Sequence, residues 1–141
     1  MPEFILGVDY GSRRIGLAVG QTLTRVANPL TTLANNGAFL DELQRLIQEW
    51  QISGIVIGYP TTMEGEEQDI TRQVKNFTKR IKHHTGLPVH WVDERLTSHE
   101  AERQFKDQRA AQLTKAKNKT QIDAMAAQII LQSWLDQTSA P

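Results

Sequence analysis

Residues 4–20 read Phe4-Ile5-Leu6-Gly7-Val8-Asp9-Tyr10-Gly11-Ser12-Arg13-Arg14-Ile15-Gly16-Leu17-Ala18-Val19-Gly20. Two short apolar runs, Phe4 to Asp9 and Arg13 to Gly20, flank Asp9-Tyr10-Gly11-Ser12, whose Gly and Ser suit a turn, so the segment reads as a β-hairpin. In the second run Ile15, Leu17 and Val19 alternate with Gly16, Ala18 and Gly20. A strand with period two therefore carries large apolar side chains on one face and almost nothing on the other. The bare face predicts an element packed close against it.

Outward from the hairpin, Val26 to Leu33 reads as a third strand, and Pro29 suits an edge position. Leu40, Leu43, Leu46, Ile47 and Trp50 recur at helical spacing, predicting an amphipathic helix over about 38–51 after the Asn35-Asn36-Gly37 turn. Residues 52–58, Ile-Ser-Gly-Ile-Val-Ile-Gly, read as a buried β-branched strand ended by Tyr59-Pro60. A polar loop (61–68), a helix (69–84) with Ile70, Val74, Phe77 and Ile81 on its stripe, and a strand (89–92) follow. Thr97-Ser98-His99-Glu100 caps a further helix to about Ala111, and Gln112 to Lys119 reads as solvated. The last helix, about 120–137, has Ile122, Met125, Ala126, Ile129 and Ile130 as expected core positions. An antiparallel meander extended by strand-helix-strand crossovers gives an α/β fold with a mixed five-stranded sheet and helices on its faces.

The chain has 141 residues, 39% hydrophobic and 23% charged, which suits one domain over 1–138 with a frayed tail at 139–141. With no Cys there is no disulfide framework, thiolate metal site or cysteine nucleophile. Phe4 to Val8 is too short an apolar run for a signal peptide or a spanning helix, so the expectation is a cytoplasmic protein without membrane contact. Net charge is zero, yet residues 1–70 carry 4 basic and 9 acidic side chains and residues 71–141 carry 12 and 7. The densest basic stretch is Arg103, Lys106, Arg109, Lys115, Lys117 and Lys119, opposed there only by Asp107. That density reads as a phosphate footprint.

Three carboxylates stand out. Asp9 ends the first strand before a glycine turn, where it either meets a ligand or forms an Asx turn. Glu94 follows the last strand, at the sheet end where open α/β folds place ligands, or pairs with Arg95 on the surface. Asp123 lies one turn into an Ala- and Ile-rich helix, partly buried, so it needs hydrogen bonds or a cation unless the helix dipole alone holds it. Acids converging without a basic partner point to Mg²⁺ or Mn²⁺. Two such ions about 4 Å apart activate water for phosphodiester hydrolysis. His83-His84 reads as a solvated helix end, Ser12 and Ser98 have no evident triad, and neither a dinucleotide fingerprint nor a P-loop occurs. Trp50, Trp91 and Trp134 suit core or helix-face positions better than base stacking.

Gly7-Val8-Asp9-Tyr10-Gly11 with Arg14 to Val19, Gly58-Tyr59-Pro60 with Gly65, Asp93-Glu94-Arg95-Leu96-Thr97-Ser98, and Lys119 with Ile122-Asp123 through Leu131 stand in this order. The set resembles the motifs of the YqgF family of RuvC-like proteins over nearly the whole chain. The resemblance implies an RNase H-like fold, a metal-dependent nuclease and, for bacterial members, processing of the 5′ end of pre-16S rRNA. Holliday junction resolution on branched DNA is the alternative. A non-catalytic nucleic-acid or ribosome-binding factor is a second. Position by position, Asp9, Glu94 and Asp123 match the family's acidic triad, and Arg14 and Arg95 its basic residues. Lys115, Lys117 and Lys119 are expected to join them on the nucleic-acid backbone. Gln21 and Thr62 depart from the family's usual acidic residue and Asn. The same Asp-x-Gly opening occurs in the actin-like ATPase and sugar kinase superfold, but 141 residues supply only one of its two lobes. No self-complementary apolar stripe forces dimerisation, so a monomer or weak dimer is expected.

Overall fold

A computed structural model describes residues 3–59, 69–93 and 119–138. Strands β1 (Phe4–Asp9), β2 (Arg14–Gln21) and β3 (Val26–Ala34) form the antiparallel meander. Helix α1 (Phe39–Trp50) leads to β4 (Ile52–Tyr59), α2 (Asp69–Thr85) to β5 (Val89–Asp93), and the last described helix is α3 (Lys119–Thr138). The sheet order is β3-β2-β1-β4-β5, with β1, β4 and β5 mutually parallel. Each crossover from β1 to β4 and from β4 to β5 carries a helix, as parallel pairing requires. The expected strand at residue 26 is an edge strand, and the ladder slips between Leu17 and Ala18 where Pro29 pairs. The helix expected over 97–111 and the loop 61–68 fall outside the described residues.

Period-two alternation splits the core into two layers. Leu6, Val8, Ile15, Leu17, Ile55 and Ile57 face α1 and α2, meeting Leu43, Ile47, Val74, Phe77 and Ile81. Burying each such side chain contributes roughly 1.5–3 kcal/mol. On the other face Ile5, Ala18, Val56 and Val92 meet α3 through Ala127, Ile130, Leu131 and Leu135. The bare face of β2 is thus covered by α3, as its alternation predicts. A Cβ on Gly7 would lie 2.7 Å from the Leu131 Cβ and 2.9 Å from the Ala127 carbonyl oxygen. Only glycine allows so close an approach of helix to strand.

The buried strip of α3 differs from the expected one. Ala124, Met125, Ala127, Ile130, Leu131 and Leu135 are buried, whereas Ile122, Ala126 and Ile129 are only half-buried. The helix turns its smallest residues onto the glycine-rich strands, which leaves two of its isoleucines at the margin.

Helix α3 also closes the sheet edge. Gln132 Oε1 accepts the Ala27 N–H at 3.0 Å, Gln128 Nε2 donates to the Ala27 carbonyl at 2.9 Å, and Gln132 Nε2 donates to the Arg25 carbonyl at 2.8 Å. Ala27 is 1% exposed, so its outward backbone groups have no water to turn to. The glutamines replace a neighbouring strand.

Candidate active site

Alternation along β1 assigns Asp9 to the same face as Ile5 and Gly7, beneath α3. Its register partner on β2 is Gly16. The Asp123 carbonyl group occupies the space that a Cβ on Gly16 would need, and the Ala124 nitrogen lies 3.0 Å from it. One glycine therefore separates the strand end that carries Asp9 from the helical turn that carries Asp123. Arg14, two residues before Gly16 and on the same face, donates from Nε to Asp123 Oδ2 at 2.8 Å. Their side chains are 39% and 26% exposed, a pair at the rim of the sheet rather than in its interior.

The turn that holds this group is fixed from two sides. A Cβ on Gly11 would run into the Arg14 carbonyl oxygen, so the chain can close tightly only with glycine there. Asn35, just beyond β3, donates from Nδ2 to the Gly11 carbonyl at 2.9 Å, and its own N–H donates to Arg13 at 2.9 Å. Tyr10 packs its ring on Phe77 of α2, with centroids 4.7 Å apart. Asn35 was legible only as part of an Asn-Asn-Gly turn, and its service to the β1–β2 turn depends on the sheet register.

Asp123 does not lack a basic partner, contrary to the sequence reading: Arg14 supplies one. Arg14, expected on the nucleic-acid backbone, is bonded to an acid of the candidate triad. Glu94, Arg95, Lys115 and Lys117 lie outside the described residues, as does Thr62, and for Lys119 the structure describes the backbone only. Glu94 follows directly on Asp93, the last residue of β5. Among the described residues no group of three His, Cys, Asp or Glu side chains gathers. Asp9 and Asp123 are hard oxygen donors on one face and suit Mg²⁺ or Mn²⁺, and a cation at Asp123 would share that carboxylate with a guanidinium. A cavity of about 460 Å³ lined by Phe4, Gln21, Val26, Pro29 and Trp50 opens at the opposite end of β1, away from the acids.

Trp91 corrects another expectation. It is 46% exposed, while Trp50 and Trp134 are half-buried as expected. His83 and His84 are exposed in the last turn of α2. Among the described residues no helix is long and apolar enough to cross a membrane.

The sheet order and the α3 layer on one face define an RNase H-like fold. The structure resembles RuvC from Thermus thermophilus in complex with a Holliday junction substrate, with a TM-score of 0.62, 14% identity, and coverage of 96% of this chain and 95% of that one. The family model RuvX, described as Holliday junction resolvase, matches residues 3–137, and the chain belongs to that family, the YqgF family of its motifs. It is 40% identical over 138 residues to a protein of Shewanella denitrificans named "Putative pre-16S rRNA nuclease", covering 96% of each. A protein of the same name from Nitrosococcus oceani is 40% identical over 136 residues, covering 95% of this chain and 87% of that protein.

Proposed function

We propose that this protein is a metal-dependent endonuclease of the cytoplasm that processes the 5′ end of pre-16S rRNA. The observation that supports the proposal is that Gly16, the register partner of Asp9, packs against the backbone of Asp123 in a chain of this family. Asp9, Glu94 and Asp123 would hold Mg²⁺ or Mn²⁺, which supplies Lewis acidity toward a phosphate oxygen and a lowered pKa for water. Arg14 orients the Asp123 carboxylate by its Nε bond. Arg95, Lys115, Lys117 and Lys119 bear on the nucleic-acid backbone, where each contact releases counterions.

The relatives' name favours RNA, while the family description favours a four-way DNA junction. Cleavage of labelled precursor rRNA and of a synthetic junction, side by side with Mn²⁺, separates the two for the parent and Asp9→Asn proteins. RNA cleavage lost in Asp9→Asn is the expected result. Cleavage of the junction alone would restore the resolvase reading, and binding without cleavage of either would leave a binding factor.

A further inference from the structure

On the face of the sheet opposite Asp123, Tyr59 at the end of β4 stacks on Trp91 of β5, with ring centroids 4.5 Å apart and planes 28° apart. The Trp91 indole N–H donates to Thr78 Oγ1 of α2 at 3.0 Å, and Thr78 is only 3% exposed. Its hydroxyl in turn donates to the Val74 carbonyl at 2.8 Å. The indole is therefore held by its polar edge from a fixed, buried hydroxyl while Trp91 remains 46% exposed. An exposed Trp with a locked orientation, on an edge strand, costs solvation without contributing to the core.

The helix that anchors it is basic. Arg72, Lys75, Lys79, Arg80 and Lys82 all lie in α2, and no Asp or Glu occurs from residue 70 to residue 92. Lys75 and Lys82 stand three and four residues from Thr78, so they flank it on the helix surface one turn to either side. Lys79 and Lys82 are exposed. Tyr59 and Asp93 are register partners at the carboxyl ends of β4 and β5, the same sheet edge at which β1 delivers Asp9. Two strand spacings, roughly 10 Å, separate β5 from β1 along that edge.

We infer that Tyr59 and Trp91, beside the basic helix α2 that anchors the indole, form a stacking platform for an unpaired stretch of the RNA substrate. A base laid on an aromatic face, with its phosphates against lysines, is the way single strands are held without sequence readout. A duplex keeps its base faces stacked internally and gains only the charge. The inference rests on the nucleic-acid reading above and adds the part of the substrate that this edge takes.

The test is anisotropy of a labelled oligo(U) strand in EDTA, where no cleavage occurs, for the parent, Trp91→Ala, Trp91→Phe and the Lys79→Ala/Lys82→Ala double variant. Trp91→Ala is expected to weaken binding by about tenfold and Trp91→Phe far less, because a ring is retained. The lysine pair should lower the salt slope of log K by about 1.4, the value for two single-strand phosphate contacts. These lysines are exposed, so that variant reports even where Trp91→Ala fails to fold. Equal binding by the parent and all variants would overturn the platform while leaving the nuclease reading intact. A parent that binds neither oligo(U) nor precursor rRNA would overturn both.

Discussion

Gly16 and Asp123 meet with no side chain between them: the carbonyl of Asp123 lies where a Cβ on residue 16 would have to be. Gly16→Ala must move backbone against backbone, and neither side can yield as the tip of a flexible side chain does. The expected loss is about 3 kcal/mol, the upper range for overpacking, read from urea denaturation. Cleavage should fall further than the folded fraction, because α3 carries Asp123.

Arg14 and Asp123 form a rim pair whose contribution to stability is about 1 kcal/mol or less. Its larger effect is on orientation. Arg14→Ala should therefore change the melting temperature little and lower the cleavage rate by about tenfold. Arg14→Lys should restore little of that, since the donor in contact is the guanidinium Nε. Equal loss of stability and rate would make the pair a structural brace only.

Gln132 serves Ala27 N–H and the Arg25 carbonyl at once. Gln132→Ala strands the N–H of a buried residue and should cost about 1–3 kcal/mol. Gln132→Glu keeps the acceptor for Ala27 and loses the donor to Arg25, so it should fall between. Hydrogen exchange at the Ala27 amide checks this directly, with faster exchange in Gln132→Ala than in Gln132→Glu.

Much of the fold is written locally. The alternation of Ile15, Leu17 and Val19 with Gly16, Ala18 and Gly20 foretells both the strand and the helix pressed on its bare face, and Pro29 foretells the edge. The site is less legible, because its parts meet across the chain. Arg14 and Asp123 are 109 residues apart, and no local spacing says that one would neutralise the other. Asn35 reads as a turn residue, and its clamp on Gly11 depends on how β3 lies against β2. Trp91 sits in a short strand, where it reads as a core position. It is exposed because, among the described strands, β5 lies at the end of the sheet beside β4. The strip of α3 is displaced from its hydrophobic pattern because the glycine strands admit alanines more closely than isoleucines.

In the proposed function Asp9 and Asp123 act together on one scissile phosphate. The decisive measurement is single-turnover cleavage of precursor 16S rRNA with Mn²⁺ by the parent and Asp123→Asn proteins, each with its melting curve. Asp123→Asn keeps the shape of the side chain and exchanges only the charge facing Arg14, so its stability should change by about 1 kcal/mol at most. Its cleavage rate should fall by at least about 100-fold, as expected where a carboxylate that holds the metal is lost. A folded Asp123→Asn protein that cuts the RNA at the parent's rate would contradict the claim.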